Sequence, residues 1–337
     1  MKKIKNILNE FFESNDIAGM SVAITDANKT LGVYNFGVES TISKTAVTND
    51  SLFRIASITK IITGLTAMRL VEYGKLSLDC PIGEYVEWLK PPFSTLTLKS
   101  LLSHTAGLPK EYTPDGPRDE SLLEQSLIKE LGEIDHNRVG NDKPYLYSNV
   151  GIRLVSLIIE RVSGERYSKV AEKLIIKPLK MTNTTFSLDE AKKQSLSLPH
   201  VKKEQGLVPV ESWENAVRLG AGGLFSTSEQ LCKLARLIIN DGKNDDGEII
   251  VNSNTMAKML VPIAEKGMGD FYGLSMMLHK FGDRLTYGHL GSAPPYYANL
   301  VCDKQSGYGV AVLINTEGNA SLRYEITDKI LNSLTNE

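Results

Sequence analysis

The sequence predicts an α+β protein with strands at both ends of the chain. Two runs near the start carry the first part of this reading: Met20-Ser21-Val22-Ala23-Ile24-Thr25-Asp26, then, after the turn Ala27-Asn28-Lys29, the run Leu31-Gly32-Val33-Tyr34-Asn35-Phe36-Gly37. Both are short, apolar and rich in strand-forming residues. The second observation lies near the other end, where residues 284–287, 296–302 and 309–313 are strand-like and Asp303-Lys304-Gln305-Ser306-Gly307 reads as a hairpin turn. The third is the middle, where apolar residues recur at helical spacing. A chain of 337 residues with 42% apolar and 23% charged residues has ordinary globular composition and can bury a large core.

Taken in order, Ile4, Ile7, Leu8, Phe11 and Phe12 mark one face of an N-terminal helix. The segment starts with positive charge, but Asn6, Asn9 and Glu10 interrupt any apolar run of secretory length. No window approaches the ~18 apolar residues of a membrane span. The location expected is cytoplasmic if Met1 is the natural start and extracytoplasmic if a leader was removed. Helices are expected at 58–73, 98–103, 121–131, 149–163, 167–175 and 228–240, with a final amphipathic helix over 321–334. Residues 109–119 and 200–214 are polar and read as loops that shape a substrate mouth.

A net charge of −2 gives no electrostatic case for nucleic acid or an anionic membrane. Cys80, Cys232 and Cys302 are widely spaced, and His104, His136, His200, His279 and His289 lack a ligand-like pairing. The expectation is three reduced thiols, no metal and no cofactor. The partner expected is a small molecule or a short peptide, with the oligomeric state open.

The most informative stretch is Ser57-Ile58-Thr59-Lys60. Ile58, Ile61, Ile62, Leu65 and Met68 recur at helical spacing and Gly74 stops the run, so Ser57 and Lys60 fall at i and i+3 on one face of a first helical turn. A serine hydroxyl is a weak nucleophile, and a neutral amine beside it can take its proton. Burial and the positive end of a helix both disfavour an ammonium, which helps the amine toward neutrality. Alone, the pattern also suits a helix-capping serine followed by a solvated lysine.

Two further clusters follow in order: Tyr147-Ser148-Asn149, and His289-Leu290-Gly291 followed by Ser292. Penicillin-binding proteins and class A β-lactamases use S-x-x-K with S-D-N and K-T-G. A tyrosine leading the second motif and a histidine leading the third resemble instead the class C β-lactamase, D,D-peptidase and esterase branch of the serine β-lactamase-like superfamily. Leu101-Leu102-Ser103-His104-Thr105-Ala106-Gly107-Leu108, Pro178-Leu179-Lys180-Met181-Thr182-Asn183-Thr184 and Gly220-Ala221-Gly222-Gly223-Leu224-Phe225-Ser226-Thr227 resemble further segments of that family, with Lys180 where glycine is usual. The resemblance runs from about residue 17 to about 315. It implies a β-lactamase/transpeptidase-like fold, in which both chain ends build one antiparallel sheet flanked by terminal helices. A mostly helical lobe is inserted. This gives a single catalytic domain over 1–337, with an α/β lobe of about 1–56 and 216–337 and a helical lobe of about 57–215.

The resemblance also implies roles. Ser57 is the nucleophile, Lys60 its proton acceptor and Tyr147 a second acid/base group shuttling the proton among Ser57, leaving group and water. Asn149 binds the substrate's amide carbonyl and positions Lys60, with a helix N-cap as its plain alternative. Ser148 has no assigned role. His289 faces the substrate where β-lactamases usually place lysine, and Gly291 lets substrate lie along the strand edge. The backbone N–H groups of Ser57 and Ser292 form the oxyanion hole. His104 is structural. Together these imply a serine hydrolase that works through an acyl-enzyme on small esters or on D-amino-acid amides and peptides. A weak β-lactamase, an acyltransferase on the same site, and a penicillin-binding sensor that does not turn over are the alternatives. An imidazole titrating near neutrality would make His289 a part-time cation, so carboxylate-bearing substrates should improve as the pH falls.

Overall fold

The computed structural model describes residues 1–110, 119–213, 215–318 and 320–335. Eight strands form one antiparallel sheet: β1 (Gly19–Thr25), β2 (Thr30–Gly37), β3 (Ala264–Gly267), β4 (Asp270–Tyr272), β5 (Met277–Phe281), β6 (Arg284–Ala293), β7 (Tyr296–Asp303) and β8 (Tyr308–Ile314). Their spatial order is β2-β1-β8-β7-β6-β5-β4-β3. The first strand pairs with the last, from Met20 opposite Ile314 to Thr25 opposite Gly309. The two ends of the chain therefore pair side by side within one sheet, as the resemblance implied.

Because side chains alternate across a strand, the central strands bury both faces. Met20, Val22 and Ile24 of β1, with Val310 and Val312 of β8, pack under α1 (Lys2–Glu13) and the C-terminal helix α9 (Leu322–Thr335). Ile4, Leu8 and Phe11 supply the buried stripe of α1, while Ile7 and Phe12 are only half-buried. Ala23, Ala311 and Leu313 point the other way, into a larger core. Among the described residues, the helices that contribute to that core include α2 (Thr59–Glu72), α3 (Leu98–Leu102), α4 (Leu123–Leu131), α5 (Asn149–Ser163), α6 (Tyr167–Ala171) and α7 (Ser228–Ile239). Met256 and Met259 of α8 (Ser253–Met259) join it. Every residue of α2 from 59 to 68 is buried, which fixes the start of this helix deep beside the sheet.

Several elements differ from the expectation. The strand expected at 284–287 runs on to Ala293, so the third motif lies within β6. Strands β3 to β5 and helix α8 carry no clear sequence pattern and are absent from the expected elements. Residues 200–209, expected to be loop, pair as a two-stranded hairpin from His200 opposite Pro209 to Lys203 opposite Gly206. The helix expected over 167–175 ends at Ala171 and continues as a π-type turn, Glu172–Ile176. Lys180 adopts φ +53°, a left-handed conformation that glycine occupies at less cost. The glycine of the resembled segment and the lysine of this chain thus meet one backbone demand. Of the expected loop 109–119, residues 111–118 lie outside the described residues, as does residue 214.

Candidate active site

A short three-stranded sheet leads into Ser57. Phe53–Arg54 pairs with Phe225–Ser226, which pairs with Thr184–Thr185, and the Ile55 N–H donates to the Leu224 carbonyl at 3.0 Å. The chain then turns through Ala56–Ile58 in a 3-10 arrangement before α2 begins at Thr59. Ala56 sits at φ +47°, which costs a non-glycine residue of the order of 1–3 kcal/mol. Thr59 Oγ1 donates to the Ala56 carbonyl at 2.6 Å and helps hold this turn. Ser57 is thereby partly exposed, while Lys60, one turn on, is fully buried.

Ser57 Oγ is the meeting point. Tyr147 Oη donates to it at 2.8 Å and Lys60 Nζ at 3.2 Å. Lys60 Nζ also donates to Asn149 Oδ1 at 2.7 Å and to the Ala221 carbonyl at 2.5 Å. Those two oxygens can only accept, whereas a serine hydroxyl can accept or donate. The Lys60–Ser57 contact is therefore one along which a proton can pass in either direction. Nζ also lies 4.8 Å from the centroid of the Tyr147 ring.

The second motif is placed by a helix cap and by bonds to the neighbouring loop. Ser148 is the N-cap of α5, its Oγ accepting from the Gly151 N–H at 2.9 Å, which gives this residue the capping role that was the plain alternative for Asn149. Asn149 is the first residue of the helix and its side chain reaches Lys60. Neighbouring bonds sew this segment to residues 104–110: Leu146 N–H to the His104 carbonyl, Ser148 N–H to His104 Nδ1 at 3.2 Å, and Asn149 N–H to the Lys110 carbonyl. The His104 ring lies 4.6 Å from the Tyr147 and Tyr272 rings. Burial, then the Lys60 charge, push the His104 pKa well below its usual value, so it is neutral.

The third motif differs from its expectation in two respects. His289 is 3% exposed, and burial, then the Lys60 charge, lower its pKa to about 3. It stays neutral through the range in which it was expected to gain charge. Both its nitrogens bond within the protein: Nδ1 donates to the Leu290 carbonyl at 2.6 Å and Nε2 lies 2.9 Å from Tyr272 Oη. The side of Gly291 on which a Cβ would stand is filled by Ile55 and Ala298. A Cβ there would lie 2.2 Å from the Ile55 carbonyl oxygen, so the missing side chain is what lets the turn carrying Ser57 rest on β6. Its own carbonyl accepts from Arg323 Nη1 at 2.8 Å.

Ser57, Tyr147, Asn149, His289 and Ser292 all line one open cavity of about 510 Å3; Lys60 and Gly291 support it from behind. Sequence reasoning missed four further contributors. Trp213 and Arg54 form one wall, with the guanidinium 4.0 Å from the indole centroid and donating to the Trp213 carbonyl. Arg323 lines the cavity as well, and the Tyr272 hydroxyl lies against His289. No spacing rule links these positions to the motifs. Among the described residues, no group of three His, Cys, Asp or Glu is placed to hold a metal ion, and no helix is long and apolar enough to cross a membrane.

Here a serine hydroxyl is joined to a lysine amine and a tyrosine hydroxyl, and the chain belongs to the Beta-lactamase family, whose model matches residues 4–334. Among curated relatives, Protein flp of Staphylococcus aureus strain MRSA252 is 27% identical over 217 residues, covering 63% of this chain and 43% of that protein. The chain thus spans less than half the length of the relative. Among solved structures, the octameric penicillin-binding protein homologue from Pyrococcus abyssi superposes with a TM-score of 0.85 at 26% identity, covering 100% of this chain and 77% of that one. The D-amino acid amidase from Ochrobactrum anthropi SV3 superposes with a TM-score of 0.85 at 21% identity, covering 99% and 98%; at that identity the likeness is one of fold.

Proposed function

We propose that this protein is a serine hydrolase that forms an acyl-enzyme on Ser57 and acts on small esters or on D-amino-acid amides and peptides. The observation that carries the reading is the placement of Ser57 Oγ within hydrogen-bond reach of both Tyr147 Oη and Lys60 Nζ at the edge of an open cavity. In the reacting state the Lys60–Tyr147 pair holds one proton fewer than an ammonium and a phenol together; Ser57 Oγ bonds to the substrate carbonyl carbon while its proton passes to that pair. The carbonyl oxygen becomes an oxyanion, received by the backbone N–H groups of Ser57 and Ser292. Collapse breaks the bond to the leaving group, which takes the proton back through Tyr147. Water repeats the sequence on the acyl-enzyme and releases the acid; an alcohol or amine in its place would give acyl transfer. Asn149 holds Lys60 and can meet the substrate's amide. A neutral His289 offers no charge to the carboxylate common to penicillins and cephalosporins, which favours esters and D-aminoacyl compounds over β-lactams.

The test is intact-protein mass together with product release, using an activated acyl ester, chiral D- and L-aminoacyl amides and a penicillin. Transient acylation with product supports the hydrolase, and lasting acylation without product would instead make the protein a sensor. Ser57→Ala should lose several orders of magnitude in kcat/KM. Retention of more than about a tenth of wild-type activity would remove Ser57 as the nucleophile.

A further inference from the structure

His289 is held at both ring nitrogens, and the two bonds settle its tautomer. The Leu290 oxygen at Nδ1 is a carbonyl and can only accept, so Nδ1 carries the hydrogen. The neutral ring then has a lone pair at Nε2, and the group 2.9 Å away is the hydroxyl of Tyr272. Tyr272 is fully buried at the end of β4; its ring meets His289 edge-on at 5.8 Å and lies 4.6 Å from His104. Burial raises its pKa well above the ordinary phenol value, so it keeps its proton.

We propose that Tyr272 is a positioning residue of this site: its hydroxyl donates to Nε2 and locks His289 as the neutral Nδ1–H tautomer, so that His289 steers β6 beside Ser57 and does not act as a cation toward substrate. The charged groups facing His289 are Lys60 of α2, Lys266 of β3 and Arg323 of α9; the titratable neighbours are Tyr147 and Tyr272, with His104 coupled to it electrostatically. All three charges are positive, so an imidazolium would meet repulsion from three elements. The Leu290 carbonyl bound by Nδ1 immediately precedes Gly291, whose own carbonyl is bound by Arg323. Two consecutive peptide groups are clamped just before Ser292. The inference rests on the reading above that the Ser292 N–H receives the oxyanion.

The test uses the full chain labelled with 15N-histidine, with His289 resonances identified by their loss in His289→Gln. The wild type should show Nδ1 protonated and Nε2 bare, without titration from about pH 5 to 8. Tyr272→Phe keeps the ring and removes only the hydroxyl. Its bare nitrogen should shift, and the imidazole should begin to titrate or to exchange tautomers in that window. The kcat/KM ratio of an ester pair differing by one carboxylate should be flat with pH in the wild type. In Tyr272→Phe it should rise several-fold as the pH falls, while kcat for the neutral ester drops more than KM changes. A wild-type imidazole that titrates in this window, or that carries its hydrogen on Nε2, overturns the proposal, and the wild-type spectrum decides this even if the variant does not fold. A Tyr272→Phe protein with the wild-type spectrum and the wild-type flat ratio overturns it too. The expected spectrum in a wild type without ester turnover would sink the hydrolase reading and leave the tautomer lock standing.

Discussion

At the scale of single residues, the proposed chemistry depends on Lys60 and Tyr147 reaching the same oxygen, Ser57 Oγ. Two groups that exchange one proton with Ser57 act as a unit, and removing either disables the unit. Lys60→Ala and Tyr147→Phe should each slow the chemical step with the fold retained. The double variant should lose far less than the product of the two single losses. Kinetics of all four proteins with one activated ester decides this, and simple multiplication of the losses would assign the two residues to separate functions. Ser57, Lys60, Tyr147 and Asn149 could be picked out in the sequence because each lies in a short motif of distinctive chemistry. The protonation of His289 could not. It depends on Tyr272, 17 residues away on a strand with no sequence signal, and on the cations Lys60, Lys266 and Arg323, which only the fold brings together.

At the scale of elements, the turn that carries Ser57 is set by what it leans on. Strand β6 presents Gly291 to Ile55, and a Cβ placed on residue 291 would come within 2.2 Å of the Ile55 carbonyl oxygen, which leaves no room for a methyl group. Gly291→Ala must therefore push the turn away from the strand. Overpacking of this kind costs about 1–3 kcal/mol, and displacing the nucleophile by about 1 Å can cost of the order of 10²-fold in rate. The variant should stay folded at room temperature and lose kcat/KM out of proportion to its loss of melting temperature. Wild-type kcat/KM in a folded Gly291→Ala would show that the contact does not place Ser57. The long buried elements were legible because burial on defined faces leaves periodic apolar residues: the helix at Asn149–Ser163 matches its expected span, and β1, β2, β7 and β8 lie within a residue or so of theirs. The strands from 264 to 281 were not legible. They are three to five residues long, and Gly267, Met268 and Gly269 crowd the turn between the first two. The hairpin at 200–209 pairs short strands, His200–Lys203 and Gly206–Pro209, that are mostly half-exposed or exposed, and their few apolar residues show no alternation to read.

At the scale of the whole molecule, the sheet separates a core under the two terminal helices from the larger core that carries the site. Building that site has a consequence for stability, because it buries two imidazoles, His104 and His289, beside the Lys60 charge. Burial and that charge hold both pKa values below their usual range, that of His289 at about 3. In the unfolded chain each returns to roughly 6.5. Above about pH 7 both states are neutral at these positions and the two histidines contribute no pH dependence. As the pH falls below about 6.5 the unfolded chain binds protons that the native protein does not, so stability declines with acidification. For His289 the loss between pH 7 and pH 5 amounts to about 2 kcal/mol, and it continues down toward the native pKa of about 3. Denaturant unfolding at pH 7, 6 and 5 should show this decline in the wild type, together with the contributions of every other titrating group. His289→Gln removes one imidazole and leaves those other groups in place. The difference in stability between the two proteins should therefore move in favour of the variant by about 2 kcal/mol over the same two pH units, whatever the variant's stability at pH 7. A difference that stays constant from pH 7 to pH 5 would mean that His289 protonates equally in the native and unfolded states. That outcome would contradict both its burial as a neutral group and the Tyr272 bond that holds it so.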